Sequence, residues 1–507
     1  MKKLILLLAC IAAMCTTLSA QISGTIGDLT WTLDRSGLLT ISGVGEMPDN
    51  YVEGIALPNP WHESYLDIKS VIIEEGVTSI GYAAFYGCSN LASISIPNGV
   101  KKIGLYAFEL CKNLTSITIP SSVISIEHAF YGCDNLLNFI VEEGNEQYSS
   151  DAGILYDKDK TALLKCPPKK SGDIVIPNSV KRIGESAFSR CFDLTSISIP
   201  SSVTSIEPWA FNQCYGLTSI SIPENITSIE NGLFYLCKKL ASISIPSNVT
   251  NIGNGAFYGC ESLTSVEIPD EVTDIGDNAF FGCTSLTSVE IPNKVTRIGV
   301  YAFNRCTNLA SISIPSGTTN IGAGAFVYCS NLTSISLPED ITTIEEHTFL
   351  GCNKLTSIVI PNGVTSIGQS AFKGCGKLIN FHSQASIPPT LGTDVFQYCI
   401  TLYVPIGSKE AYEAAEGWQV FMNIKEFDFS SIEEINTVKP VVYPDFSAGG
   451  FYVKGINNEQ AYIISDVNGK ILSQGQAMDG EFISTTDFST GIYIVQIGNY
   501  TTKLLVK

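Results

Sequence analysis

The sequence repeats itself every 23 residues over most of its length. From Cys191 to Cys375 nine cysteines stand at that fixed spacing. Aligned on them, the chain reads L-x-x-I-x-I-P-x-x-V-x-x-I-G-x-x-A-F-x-x-C, seen cleanly at Leu240, Ile243, Ile245, Pro246, Val249, Ile252, Gly253, Phe257 and Cys260. Units of the same pattern end at Cys88, Cys111 and Cys133, the last one residue short before Phe130, so about fourteen turns result. A period of this length headed by L-x-x-I-x-I marks a leucine-rich solenoid, in which each turn contributes one short parallel strand and contacts only its neighbours.

Within a unit, alternation turns Ile243 and Ile245 inward and Ser242 and Ser244 outward. Pro246 then stops the strand, because proline has no ladder donor and a fixed φ. The slot after the third Ile is Gly at 253, 276 and 299 but Glu at 127, 207, 230 and 345, which argues against an obligatory positive φ there. An acid at that place suits the exposed amides at the start of a short helical turn over "AF". The fold class expected is therefore a leucine-rich-repeat solenoid of the α/β horseshoe type, mostly β with short convex helical turns, followed by a small C-terminal all-β sandwich.

Thirteen F-x-x-C pairs run from Phe85 and Cys88 to Phe396 and Cys399. Phe and Cys three apart on one turn share a face, and that face has to fill the small cross-section of a coil. A column of Phe rings with a column of Cys as small filler is the expected result. Catalytic thiols would call for an exposed Cys near a His, yet the four histidines, His62, His128, His347 and His382, fall at unrelated repeat positions. Zinc needs ligands converging on a point, whereas a ladder spreads sulfurs along a line. Disulfides between adjacent turns remain open on distance, although parallel Cβ vectors and an odd number oppose them. No catalytic, cofactor or metal residue is assigned.

The first twenty residues, with Lys2 and Lys3, an apolar run from Leu4 to Cys15 and small residues before Ala20 and Gln21, read as a secretory signal cut between those two; a lipoprotein cut at Cys10 is the weaker alternative. Residues 21–65, with Leu29, Trp31 and Leu33 on one side and Trp61 nearby, are expected to form a hairpin cap, and residues 66–400 the solenoid. Between Cys133 and Cys191 the period breaks. One degenerate turn, with Leu136, Phe139 and Val141 as its strand, precedes a hairpin insertion within 142–173, "ILY" and "ALL" around Asp157 to Thr161. Its lysines, Lys158, Lys160, Lys165, Lys169 and Lys170, are read as a solvated hairpin, with a ligand contact as the minority reading. Residues 401–429 form a second cap, with a helix after Ser408 that ends at Gly417. A polar linker follows at 430–440, and residues 441–507 lose the period and read as a β-sandwich with a hairpin turn at Asn468 and Gly469.

Thirty Lys and Arg stand against 49 acids, a formal charge of −19. That sign opposes broad binding to nucleic acid or anionic lipid. Past the leader no apolar stretch reaches the roughly 18 residues of a membrane helix.

The unit with IP, IG, AF and C resembles the BspA-like leucine-rich repeat surface proteins of anaerobic bacteria over about residues 25–427. The tail, with "VYPDF" at 442, "SDVNGK" at 465 and "STGIYIVQI" at 489, resembles the C-terminal sorting domain of the type IX secretion system, with Pro444 and Asp445 where Asn-Pro is usual. The resemblance implies export to the outer surface of a Gram-negative bacterium, contact with the secretion machinery through the tail, and adhesion to host matrix proteins such as fibronectin and fibrinogen or to other cells. The expectation is a non-catalytic binding module for a protein or glycan, monomeric, with no cofactor; a structural spacer or a secreted hydrolase is the alternative. Outward serines (Ser242, Ser244, Ser265, Ser288, Ser311, Ser313) and the aromatics Tyr86, Tyr131, Tyr258 and Tyr328 are the two candidate surfaces. No family motif assigns ligand-binding residues.

Overall fold

A computed structural model describes residues 22–429 except 50, 53–54, 57–58, 173 and 398–399, and residues 441–506 except 446–449, 455, 457–458, 467–469, 490 and 498–499. The signal cut at Ala20 and Gln21, Cys399, the linker and the Asn468–Gly469 turn lie outside the described residues. The chain divides into a repeat unit, closing at Lys425, and a C-terminal unit from Glu426 that also takes Pro405–Gly407.

Neighbouring coils of the repeat are bonded along three lines, the first two as short parallel ladders that lapse at some coils. The first is the parallel strand of the SIS segment: Ser219–Ser221 pairs with Ser242–Ser244, residue for equivalent residue. The second is a two-residue strand after the proline, where Ser228, Asn251, Asp274, Arg297 and Asn320 stand side by side. The third runs through the AF segment. There the N–H groups of Gly255, Phe257 and Gly259 donate to the carbonyls of Asp277, Ala279 and Phe281 in the following coil, at 2.8, 2.8 and 2.7 Å. Side chains between these lines point into the coil, so Leu240, Val249, Ile252, Ala256, Phe257 and Cys260 are fully enclosed. The Phe rings stack coil on coil, Phe257 on Phe280 at 5.2 Å and Phe280 on Phe303 at 5.3 Å, within 7° of parallel.

The helical turn expected over "AF" does not form. Each coil carries two left-handed residues four apart, Tyr301 (φ 55) and Arg305 (φ 61) in one, Gly255 (φ 59) and Gly259 (φ 68) in another. A helix needs an unbroken right-handed run, so the segment becomes overlapping turns, Ala256 N–H to Gly253, Tyr258 to Gly255 and Cys260 to Phe257. Alternate amides are thereby released to the next coil. At non-glycine positions this conformation costs of order 1–3 kcal/mol, offset by the third ladder. The Gly253 slot itself is not left-handed; there a Cβ would come 2.6 Å from the Asn231 nitrogen of the coil before.

At the front, Ile22–Ile26, Leu29–Leu33 and Leu38–Gly43 form an antiparallel meander whose last strand runs parallel to Ser70–Ile73. Trp61 heads the Phe column, stacked on Phe85 at 5.9 Å, and its indole N–H donates to Ala84 O at 2.8 Å. At the back, Phe381, Trp418 and Phe421 close the column around Phe396. The helix there is shorter than the sequence implies, Lys409–Ala414. Ser408 makes no side-chain cap, and Gly417 (φ 84) instead opens a 3-10 turn over Trp418–Val420. Helix is confined to this cap and one turn at His62–Ser64 among the described residues.

In the interruption, Tyr148–Asp151, Ile154–Asp157 and Ala162–Lys165 make an antiparallel meander, and the last strand rejoins the solenoid parallel to Arg182–Ile183. Leu155 belongs to the core of the preceding coils, whereas Ile154 and Tyr156 belong to the core that follows. The Phe column ends at Phe130 against the edge of Phe139 and starts again at Phe188.

The C-terminal unit is a sandwich. Val441–Asp445, Gly450–Lys454 and Glu481–Ser484 form one antiparallel sheet, and Gln460–Asp466, Ile471–Ala477, Gly491–Ile497 and Tyr500–Val506 the other. Phe451, Val453, Ile464, Val495, Ile497 and Leu504 are buried in its core.

Candidate binding surfaces

The cysteine column is the most repeated chemical feature, and its geometry makes it inert. The described cysteines are buried, with no disulfide among them. From Cys214 to Cys375 each repeat thiol donates to the carbonyl of the Phe one coil back, Cys260 to Phe234 at 3.2 Å and Cys283 to Phe257 at 3.2 Å, whereas Cys191, just after the break, points to Pro167 O instead. Loss of water pushes the thiols of Cys88 and Cys133 up to about 12, and those of Cys260 and Cys306 well above the ordinary range. A thiolate, the form that attacks or binds metal, is strongly disfavoured in such a place. The described residues hold no group of three or more His, Cys, Asp or Glu placed to hold a metal ion. None of their helices is long and apolar enough to cross a membrane.

Two kinds of hydroxyl line the strands, and they differ in what they already bond. The threonines beside the SIS strand and after the valine slot of the repeat reach back one coil: Thr250 to Thr227 O, Thr273 to Thr250 O and Thr287 to Thr264 O, at 3.3 to 3.4 Å. The serines between them do not. Ser219, Ser221, Ser242, Ser244, Ser311 and Ser313 are exposed. They carry no side-chain hydrogen bond among the described residues, so their donors and lone pairs are available to a ligand. Ser265 is exposed like them and Ser288 half-buried. On this face Ile72 at the front, and Ile140 and Val175 flanking the interruption, are exposed apolar residues, Ile140 at 49% and Val175 at 80%.

Aromatics beside the Phe positions of some coils form a second surface. Tyr235, Tyr258 and Phe281 stack face to face at 4.5 Å each, with Trp209 against Tyr235 at 5.5 Å. Tyr258 is thus held by neighbours on both sides. Tyr86 and Tyr328 are 47% exposed, the second under the guanidinium of Arg305. Tyr131 belongs to a polar knot across the interruption. Arg190 lies 4.8 Å from the Phe192 ring centre and 5.5 Å from that of Tyr131, grips Asp134 with two nitrogens, and donates to Gln213 Oε1 at 2.9 Å; Gln213 in turn donates to the Tyr131 hydroxyl at 3.2 Å. The stack follows the 23-residue period, but the knot is not visible in residue spacing, because it depends on which coils become neighbours across the break.

The lysines of the insertion are engaged rather than freely solvated. Lys160 pairs with Asp151 at 2.8 Å and Lys169 with Asp193 at 3.0 Å, while Lys158 and Lys170 donate to the carbonyls of Asn145 and Ala152. Lys165 is the extreme case: it is half-buried, its ammonium donates to Ser186 O at 2.6 Å, and loss of water holds it below the usual lysine range.

Residues 61–153, 166–287 and 273–403 match a family model described as the BspA type leucine-rich repeat region, in six copies. The hairpin strands Ile154–Asp157 and Ala162–Lys165 fall in the gap between the first two segments. No curated protein matches the chain. Among solved structures it is similar to a leucine-rich repeat protein from Eubacterium ventriosum (26% identity, 75% of this chain and 97% of that one, TM-score 0.43). It is also similar to one from Bacteroides ovatus (25% identity, 80% and 100%, TM-score 0.44) and to a leucine rich cell surface protein from Faecalibacterium prausnitzii (25% identity, 81% and 97%, TM-score 0.37).

Proposed function

The chain belongs to the BspA-type leucine-rich repeat family, and from that premise we propose that it is an exported, non-catalytic binding module of a Gram-negative cell surface, engaging a host matrix protein or a glycan on a neighbouring cell. The observation that carries this reading is the serine face. A sheet of exposed, unbonded hydroxyls with little charge offers many weak polar contacts to a long ligand, and weak contacts become useful when they repeat along a rod. The buried thiols support the non-catalytic part, since the one nucleophile present in quantity is kept from water and from its charged form. The face lacks the Tyr, Trp and Arg anchors of tight interfaces, so affinity per coil is modest. The C-terminal sandwich, in this reading, is the sorting tail that meets the type IX machinery and is removed.

The test is a screen of the whole chain against immobilised matrix proteins and glycan arrays, repeated with Ser242→Arg and Ser311→Arg together. A ligand whose binding falls at least tenfold in the double variant supports the reading. A ligand that ignores both substitutions moves the site elsewhere, and a blank screen leaves a spacer. Separately, loss of residues 441–507 in the producing cell is expected to halt surface delivery while leaving ligand binding intact.

A further inference from the structure

An open cleft lies on the turn edge of the first coil. This cleft has a volume of about 610 Å³, and Trp61, Tyr65, Tyr82, Tyr86, Tyr106 and Glu109 are among its walls. It exists because the Phe column starts here. The short segment before the first coil supplies Trp61 and Tyr65 in place of a full coil, and the slot taken by Tyr106 in the second coil holds only Ala83 in the first. Tyr82 and Tyr106 meet edge to face at 5.7 Å, and a Cβ at Gly87 would stand 3.5 Å from the Tyr65 ring, in ordinary contact with it.

We propose that this cleft binds an alkylammonium group, the ε-ammonium end of a lysine side chain, free or methylated, presented by a protein partner. Aromatic rings around a space of this kind attract a cation through their quadrupoles, and the attraction grows as water leaves. Glu109 supplies the charge. Its carboxyl is half-buried and makes no ion pair or side-chain hydrogen bond among the described residues. Burial raises its proton affinity. A half-buried carboxylate left without a partner costs free energy, and an incoming ammonium relieves it. Arginine fits less well, since its broad planar fork seeks a bidentate carboxylate and this cleft offers one acid among rings. The long-range field agrees, because a chain of formal charge −19 draws cationic partners. This site lies on a different edge from the serines and stands or falls independently of the reading above.

The test is titration of the full chain, followed by calorimetry and tryptophan fluorescence, with Nε-trimethyl-lysine, with lysine amide, and with 3,3-dimethylbutanol as a neutral group of the same shape as a trimethylammonium. Saturable binding of the ammonium probes, with the neutral one at least tenfold weaker, is expected. Glu109→Gln and Tyr106→Ala should each weaken the ammonium probes about tenfold, Tyr106→Phe should not, and Tyr328→Ala should change nothing. Thermal melts check that each variant is folded. Equal affinity for the neutral probe, or no saturable binding of either ammonium probe, overturns the proposal. Binding to phosphatidylcholine vesicles without binding to trimethyl-lysine would also overturn it, by giving the site to a lipid headgroup.

Discussion

Arg190 and Asp134 stand 56 positions apart in the chain and meet through two parallel hydrogen bonds, of 2.8 and 2.9 Å, across the break in the repeat. Each side chain is less than a quarter exposed, so the pair is partly shielded from water. Arg190→Lys keeps the charge but loses the fork and the flat contact with Phe192. It should cost about 1.5–3 kcal/mol, the scale of charged hydrogen bonds. A double-mutant cycle with Asp134→Ala reads the coupling; additive effects would show that the pair holds nothing across the break.

The repeat thiols should stay unlabelled in native protein. Iodoacetamide at pH 8, followed by mass measurement, is expected to modify the described cysteines only when denaturant is present, because burial disfavours the thiolate at each resolved site. Rapid native labelling, or peptides cross-linked between adjacent coils, would contradict the enclosed, reduced column.

Phe257→Ala removes one ring from a stack that touches Phe234 at 5.6 Å and Phe280 at 5.2 Å. A loss of about 3–5 kcal/mol is expected for a large core truncation. Because coils contact only neighbours, hydrogen exchange should quicken most in the adjacent coils and fade with distance. Loss of protection spread evenly from residue 70 to 400 would count against local coupling.

Lys165 gives a pH signature. Its folded pKa is lowered by burial, whereas the unfolded amine titrates near 10.4. Between the two values the unfolded chain binds more protons, so stability rises with pH across that window and is lowest below it. Lys165→Met removes the penalty. Its melting temperature relative to the parent should therefore be most favourable at neutral pH and lose that advantage as pH approaches about 10.4. A difference that does not change with pH would mean the ammonium is solvated.

The solenoid was legible because its signal is periodic: the inward columns of Ile243, Phe257 and Cys260 follow from spacing and alternation alone. The turn segment was not. Ala, Ser, Trp, Tyr and Gly all occupy the first left-handed slot, at 83, 186, 209, 301 and 324, so residue type does not announce the conformation. What enforces it is the ladder to the next coil, a contact between equivalent residues that propensity cannot anticipate. The thiol donation to the Phe carbonyl was missed for the same reason, since it joins residues 26 apart through the stack. The serine face was readable from alternation, but which hydroxyls are spent depends on the threonine bonds between coils. The cleft at the first coil comes from where the column begins.

The bonds between coils join equivalent positions, and this makes the length of the rod separable from its stability. The Gly232 N–H meets Asn254 O at 2.9 Å, and the Gly255 N–H meets Asp277 O at 2.8 Å. Excising residues 254–276 would bring Gly232 opposite Asp277, a partner of the same slot and hand. Recombination can thus add or drop one coil in the regular stretch and leave each surviving junction of a kind already present. The meander at 148–165 is where that interchange stops, since Ile154 and Leu155 serve different cores and no other coil can take their place.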